Sequence, residues 1–80
     1  MTSRYQSYLY DLGPLLKERA LEAKRARDAA PKETLDREFQ AGRVLGLAEP
    51  ISILQQQAEG LGISQAELRL SDFDPDRDLM

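Results

Sequence analysis

Residues 34–61, TLDREFQAGRVLGLAEPISILQQQAEGL, decide the fold of this chain. Their apolar residues recur at steps of three and four, which predicts one long α-helix. One stripe contains Val44, Leu47, Ile51, Leu54, Ala58 and Leu61. A second stripe, rotated from the first, contains Leu35, Phe39, Gly42, Gly46 and Ile53. A helix that is apolar on two sides has to be covered on two sides, so a single partner helix would leave one apolar face exposed.

Two glycines four residues apart, Gly42 and Gly46, lie on the second stripe. Each costs about 1 kcal/mol relative to alanine inside a helix, so their presence needs a reason. Close approach of another helix is one such reason, either within a monomer or from a second copy. A membrane helix pair is excluded because Arg43 and Glu49 interrupt the apolar run. The predicted protein interface comprises Phe39, Gly42, Gly46, Ile53 and Gln57.

A preceding helix is predicted over residues 3–29, where Tyr5, Leu9 and Leu16 belong to a stripe of helical spacing. The Ala29-Ala30-Pro31 sequence ends it, and Thr34 is the expected N-cap of the long helix. Two long helices joined by so short a link must lie antiparallel. The predicted fold is therefore all-α, a long antiparallel helical hairpin with a short C-terminal helix. We expect two copies to dimerise into a four-helix arrangement.

Each long helix contains a proline, which removes a backbone N–H and crowds the carbonyl four residues back. Pro50 therefore predicts a kink near residues 46–50, or two helices placed end to end. Pro14 could start a helix capped by Gly13, or the helix could continue through it with a bend. The apolar stripe stays in phase across Pro14, which favours the bent continuous helix.

After the hairpin, Gly62 is expected to end the long helix in left-handed geometry. Ser64 and Glu67 have the spacing of a capping box, which predicts a third, short helix. Leu68 and Leu70 are expected to tuck back against the end of the hairpin. These interpretations give one helical domain over residues 1–71 and an acidic tail over residues 72–80, anchored by Phe73.

The same segment supports a second interpretation. Ala58, Gly62, Ile63, Ser64 and Leu68 have the spacing found in helix-turn-helix DNA-binding proteins, so residues 57–68 resemble the core of that family. The resemblance implies that Ser64, Gln65 and Arg69 face the major groove. The basic cluster of the first helix could add contacts, or it could be a solvated face near the helix C-terminus. The possible nucleic-acid contacts are Lys24, Arg25, Arg27, Gln65 and Arg69.

Composition narrows the function further. The 80 residues contain no cysteine and no histidine, which removes thiolate metal sites and the usual general base. Residues 1–43 have a net charge of +2 and residues 44–80 a net charge of −5, which argues against general phosphate-backbone binding. The alternating aspartates of residues 72–78 lack the glycine and glutamate that a calcium loop needs. We therefore expect no enzyme, no cofactor and no metal.

The leading hypothesis is a non-enzymatic helical protein–protein interaction module, homodimeric and cytoplasmic, since neither a signal peptide nor a membrane span is predicted. A helix-turn-helix-like DNA-binding regulator is the second hypothesis. A small phage or mobile-element inhibitor of a host complex, like an anti-CRISPR protein, is the third. An uncharacterised bacterial protein of another kind is equally compatible with the residues.

Overall fold

A computed structural model of the chain describes residues 3–80, and this part contains three α-helices and no strand. Helix α1 is Arg4–Ala29, helix α2 is Leu35–Gly60 and helix α3 is Pro75–Leu79. Helices α1 and α2 form the antiparallel hairpin, and α3 is the short C-terminal helix. The predicted all-α hairpin is confirmed.

The ends of the helices follow their capping residues. Ser3 and Gln6 form a reciprocal capping box at the start of α1. Thr34 accepts a hydrogen bond from the backbone N–H of Arg37 at the start of α2, as predicted. Gly62 has a φ of +74°, and the N–H of Ile63 donates to the Ala58 carbonyl at 2.8 Å. This pair of features is the Schellman geometry expected at the end of the long helix.

Both prolines lie inside continuous helices. Helix α1 runs through Pro14, as the phase of its apolar stripe indicated. Helix α2 runs through Pro50, so the alternative of two helices placed end to end is wrong. Packing against the rest of the chain holds each helix together across the missing N–H.

The core lies between the hairpin and the segment 63–80 that folds back across it. Leu68, Leu70, Phe73 and Leu79 are buried against a layer contributed by both long helices, which comprises Ala20, Ala23, Val44, Ala48, Ile51 and Ala58. Each fully buried leucine or phenylalanine contributes roughly 1.5–3 kcal/mol relative to exposure. Lys17 reinforces the contact, because its ammonium lies 3.2 Å from the Asp72 carboxylate and 5.5 Å from the centre of the Phe73 ring. The segment thus covers one broad face of the hairpin.

The short third helix does not lie where the sequence predicted it. It was expected to begin after Ser64, whereas α3 is Pro75–Leu79. Ser64 and Glu67 do form reciprocal hydrogen bonds, but only a single turn follows them. Arg69 closes that turn with a φ of 57°, and the N–H of Leu70 donates back to the Gln65 carbonyl. A helix cannot continue through a residue in this left-handed conformation. The burial of Leu68 and Leu70 is as predicted.

Residues 72–80, interpreted from sequence as an acidic tail anchored by Phe73, pack against the hairpin. Their apolar residues Phe73, Pro75 and Leu79 are buried, and α3 lies among them. Two of the aspartates between them form local hydrogen bonds: the Asp74 side chain accepts the N–H of Asp76, and the Asp78 side chain accepts the N–H of Asp74. Alternation of apolar and acidic residues here produces an amphipathic cover for the hairpin, anchored by Phe73 as expected.

Gly13 is the point of closest approach between α1 and this covering segment. A Cβ atom at Gly13 would collide with the Leu68 carbonyl oxygen and touch the Leu70 side chain.

Gly13→Ala should therefore destabilise the chain by several kcal/mol, of the order of an overpacked core, measured by urea unfolding. Gly42→Ala is the matched control, because its added methyl group meets nothing within 4 Å. At dilutions that keep the chain monomeric, that change should stabilise it by about 0.5–1 kcal/mol. Equal effects at the two sites would contradict the packing described.

A second prediction concerns Asp78. Its carboxylate accepts a hydrogen bond from Arg77 at 2.8 Å and one from the Asp74 N–H at 2.9 Å. The Arg77 bond, then the Asp74 bond, lowers the pKa of Asp78 to about 2. Because the folded-state pKa is below the unfolded one, this stabilisation is present above about pH 4 and is lost as the pH falls towards about 2.

The measurement is the free energy of unfolding across that pH range, by circular dichroism in urea. Asp78→Asn should flatten its dependence on pH. Asp76→Asn is the control, since the Asp76 carboxylate makes no hydrogen bond within residues 3–80. An unchanged slope in Asp78→Asn would show that the carboxylate is not coupled to folding.

Candidate interaction surface on helix α2

One face of α2 is left uncovered by the rest of the described chain. Leu35 is 84% exposed, Phe39 64% and Ile53 53%. A Cβ atom added to Gly42 or Gly46 would meet nothing within 4 Å. The uncovered face comprises Leu35, Phe39, Gly42, Gly46, Pro50, Ile53 and Gln57, all of them exposed. Packing within the monomer therefore does not account for the two glycines.

A shallow groove lies between the two long helices along this face. Its volume is about 530 Å³, and it is lined by Leu12, Leu16, Gly46, Glu49, Pro50, Ile53, Leu54 and Gln57. Three of the five predicted interface residues therefore border the same depression, and Phe39 and Gly42 continue the stripe along α2. Its walls are mainly apolar, apart from Glu49 and Gln57. This surface is suited to receiving apolar side chains from another molecule.

The exposed apolar surface extends onto α1. Tyr5 and Tyr8 are exposed and stand at helical spacing from Leu12, which is half-buried at the groove. Aromatic residues are enriched where proteins bind one another, because they bury a large area with few rotatable bonds. Helical spacing thus places the two tyrosines on the same side of α1 as Leu12, which lines the groove.

The opposite side of α2 is occupied by the covering segment. The side-chain amide of Gln55 donates to the Phe73 carbonyl at 2.9 Å, and that of Gln65 donates to the Gln55 carbonyl at 3.0 Å. Gln57 is two positions from Gln55, so helical periodicity places it on the other side. Gln55 therefore lies on the covered side of α2, and Gln57 lies on the uncovered face.

The overall shape gives the same result in quantitative form. The chain measures 50 × 20 × 17 Å and has a radius of gyration of 14.2 Å, against about 12 Å for a compact domain of this length. It exposes 5783 Å², whereas a globular monomer of 9.0 kDa exposes about 4,900 Å². The chain is thus more elongated and more exposed than a compact domain of its size, and its uncovered apolar face lies along the length of the hairpin.

The predicted nucleic-acid contacts are not gathered into one basic patch. Lys24 and Arg27 both bond to Asp28, at 3.1 and 3.0 Å, which lowers the pKa of that carboxyl. Arg27 also donates to the Leu79 carbonyl at 2.9 Å. Arg25 and Arg69 line a shallow depression that also contains Glu18 and Asp72. Residues 65–69 form a turn rather than a recognition helix, so the helix-turn-helix resemblance does not extend to its second helix. DNA contact by these residues stays a prediction.

Arg69 has a structural role that sequence reasoning missed. Pro14 lacks an N–H, so the carbonyl of Tyr10 loses its partner four residues on. The Nε–H of Arg69 donates to that carbonyl at 3.2 Å, and its guanidinium lies 4.1 Å from the centre of the Tyr10 ring. A residue distant in sequence thereby supplies the hydrogen bond that the proline removes from α1. The Gly13-Pro14 pair was the available clue, but it did not indicate the donor.

Comparisons with models of protein families, with curated proteins and with solved structures each find no match. Among the described residues, neither long helix has an apolar stretch sufficient to cross a membrane. No group of three or more potential metal-ligating side chains occurs in residues 3–80. The uncovered face of α2 is therefore the feature of the described chain that suggests a function.

The role of Arg69 can be tested with a double-mutant cycle. Arg69→Met should destabilise the chain by about 1 kcal/mol, because the Tyr10 carbonyl loses its donor. In a Pro14→Ala background, the helix N–H of residue 14 is restored, so the same Arg69→Met change should cost less. Urea unfolding of the four proteins gives the coupling energy. Additive effects would show that Arg69 does not act through that carbonyl.

Proposed function

We propose that this protein is a non-enzymatic helical interaction module, and that its simplest partner is a second copy of itself. The observation that carries the proposal is the uncovered face of α2. There, Gly42 and Gly46 face open space between the exposed side chains of Phe39 and Ile53. Two copies joined through this face would form a four-helix arrangement.

The energetics favour association of moderate strength. Each copy offers Leu35, Phe39 and Ile53, with the tyrosines of α1 beside them. Burial of such side chains from both copies contributes roughly 10 kcal/mol. Association itself costs an estimated ~4–15 kcal/mol in lost translational and rotational freedom. At the low end of that cost the balance is about −6 kcal/mol, so we expect a dissociation constant of roughly tens of micromolar.

The non-enzymatic part of the proposal rests on the residues available. The sequence has no histidine and no cysteine to act as a base or nucleophile near the groove. The groove holds one carboxylate, that of Glu49, among apolar side chains. Such a surface is better suited to burial against another protein than to acid–base chemistry. A cytoplasmic location is part of the same proposal, and imaging of a tagged chain would test it.

Self-association can be tested with a matched pair of substitutions. Ile53→Glu places a carboxylate in the uncovered face and should abolish dimerisation, because a charge would be buried there without a partner. Leu45→Glu is the control, since Leu45 lies on the same helix, is 60% exposed and is outside that face. Sedimentation equilibrium over a range of concentrations measures both variants and the wild-type chain.

We expect the wild-type chain and Leu45→Glu to dimerise and Ile53→Glu to remain monomeric with an unchanged helical circular dichroism spectrum. A wild-type chain that is monomeric at the highest soluble concentration would contradict self-association. Equal dissociation constants for all three proteins would show that the dimer forms through another surface.

A further inference from the structure

The uncovered face of α2 is arranged symmetrically in sequence about Gly46. Phe39 and Ile53 are each seven residues from it, Gly42 and Pro50 each four, and Leu35 and Gln57 each eleven. Separations of four, seven and eleven residues are close to whole turns of an α-helix, so all these residues share one face. Their exposure agrees, since each is exposed along the continuous helix Leu35–Gly60.

Resting on the proposed self-association, we propose that a second copy packs its α2 antiparallel on this face, with the two-fold axis passing at Gly46. An antiparallel pair related in this way places residues whose numbers are equidistant from Gly46 at the same level. Phe39 then lies beside the partner's Ile53, and Gly42 lies beside the partner's Pro50. Gly46 meets the partner's Gly46, where two helices without side chains come closest.

The groove between α1 and α2 offers a place for the partner's Phe39 side chain. Leu12, Leu16 and Pro50 line it next to Ile53, and its volume is about 530 Å³. In the antiparallel arrangement the partner's Phe39 arrives at the level of Ile53 and enters this groove. The same contact is repeated on the other side of the axis, as a two-fold interface requires. Each copy thus provides both the inserted side chain and the groove that receives it.

Charge favours the antiparallel direction over the parallel one. Arg43 and Glu49 flank Gly46 at equal distances, and neither has an ion-pair partner among residues 3–80. Arg43 donates instead to the amide oxygen of Gln40 at 2.7 Å. A parallel pair would bring Glu49 to the level of the partner's Glu49, where like charges repel. The antiparallel pair brings Arg43 to that level, and it also opposes the helix dipoles.

The area available matches what a stable dimer needs. The chain exposes roughly 900 Å² more than a globular monomer of its mass, and a standard-size interface removes about 800 Å² from each partner. The excess lies along the hairpin's length, where α2 and the tyrosines of α1 are exposed. A second copy of equal length, laid antiparallel, covers the whole of that face and leaves no edge for a third.

Cross-linking tests the register directly, because the chain has no cysteine of its own. Phe39→Cys and Ile53→Cys are prepared separately, mixed and treated with a short bis-maleimide. We expect a covalent dimer from the mixture and none from either variant alone. Leu35→Cys mixed with Gln57→Cys repeats the test at the ends of the interface, where a cysteine perturbs packing less. Glu59→Cys is the control that measures cross-linking by random collision, because Glu59 is exposed outside the uncovered face and lies far from the two-fold axis.

The outcomes separate this inference from the proposed function. Covalent dimers from single variants, with none added by mixing, would indicate a parallel pair and overturn the register while self-association stands. A dimeric mass in sedimentation with cross-linking no greater than in Glu59→Cys would place the interface elsewhere and also overturn it. A wild-type chain that is monomeric at all concentrations would overturn both.

Discussion

A two-helix hairpin has two broad faces, and the described chain covers only one of them. The segment 63–80 supplies that cover through Leu68, Leu70, Phe73 and Leu79. The side away from it exposes a continuous apolar stripe on α2. Because apolar area of this extent is costly to leave in water, the fold and the proposed activity have the same physical origin. The proposed function is thus a consequence of incomplete burial.

The two prolines show how differently the chain treats its two faces. On the covered side, the carbonyl freed by Pro14 accepts a hydrogen bond from Arg69, a residue of the covering segment. On the open side, Pro50 deprives the Gly46 carbonyl of its helical donor in the same way, and both residues line the groove. A side chain of the same chain thus replaces the hydrogen bond that α1 loses at Pro14. In α2 the proline and the carbonyl that it leaves without its usual helical donor both lie on the uncovered face, where we put the two-fold axis.

Local rules were enough to predict the hairpin from sequence. The periodicity of residues 34–61, the cap at Thr34 and the turn at Gly62 each depend on neighbours a few residues away, and each is present in the structure. Contacts between distant residues were not predictable in this way. The collision that forces Gly13 to be glycine comes from Leu68, more than fifty residues later. The apolar stripe of the candidate site could be predicted because helical spacing alone defines it. Its exposure could not be predicted, because that depends on where residues 63–80 fold.

The covering segment also has a mechanical consequence. It touches α1 through Gly13 and Lys17 and α2 through Gln55, so it works as a splint across the pair. Without this segment the hairpin would be held only by the packing of α1 on α2 and by the link after Ala29. The two helices could then splay or twist, and a partner would first have to straighten them. With the splint in place, the geometry of the free side is fixed before an encounter occurs. The chain then loses most of its conformational entropy during folding rather than on binding. The proposed association would therefore resemble the docking of two rigid bodies.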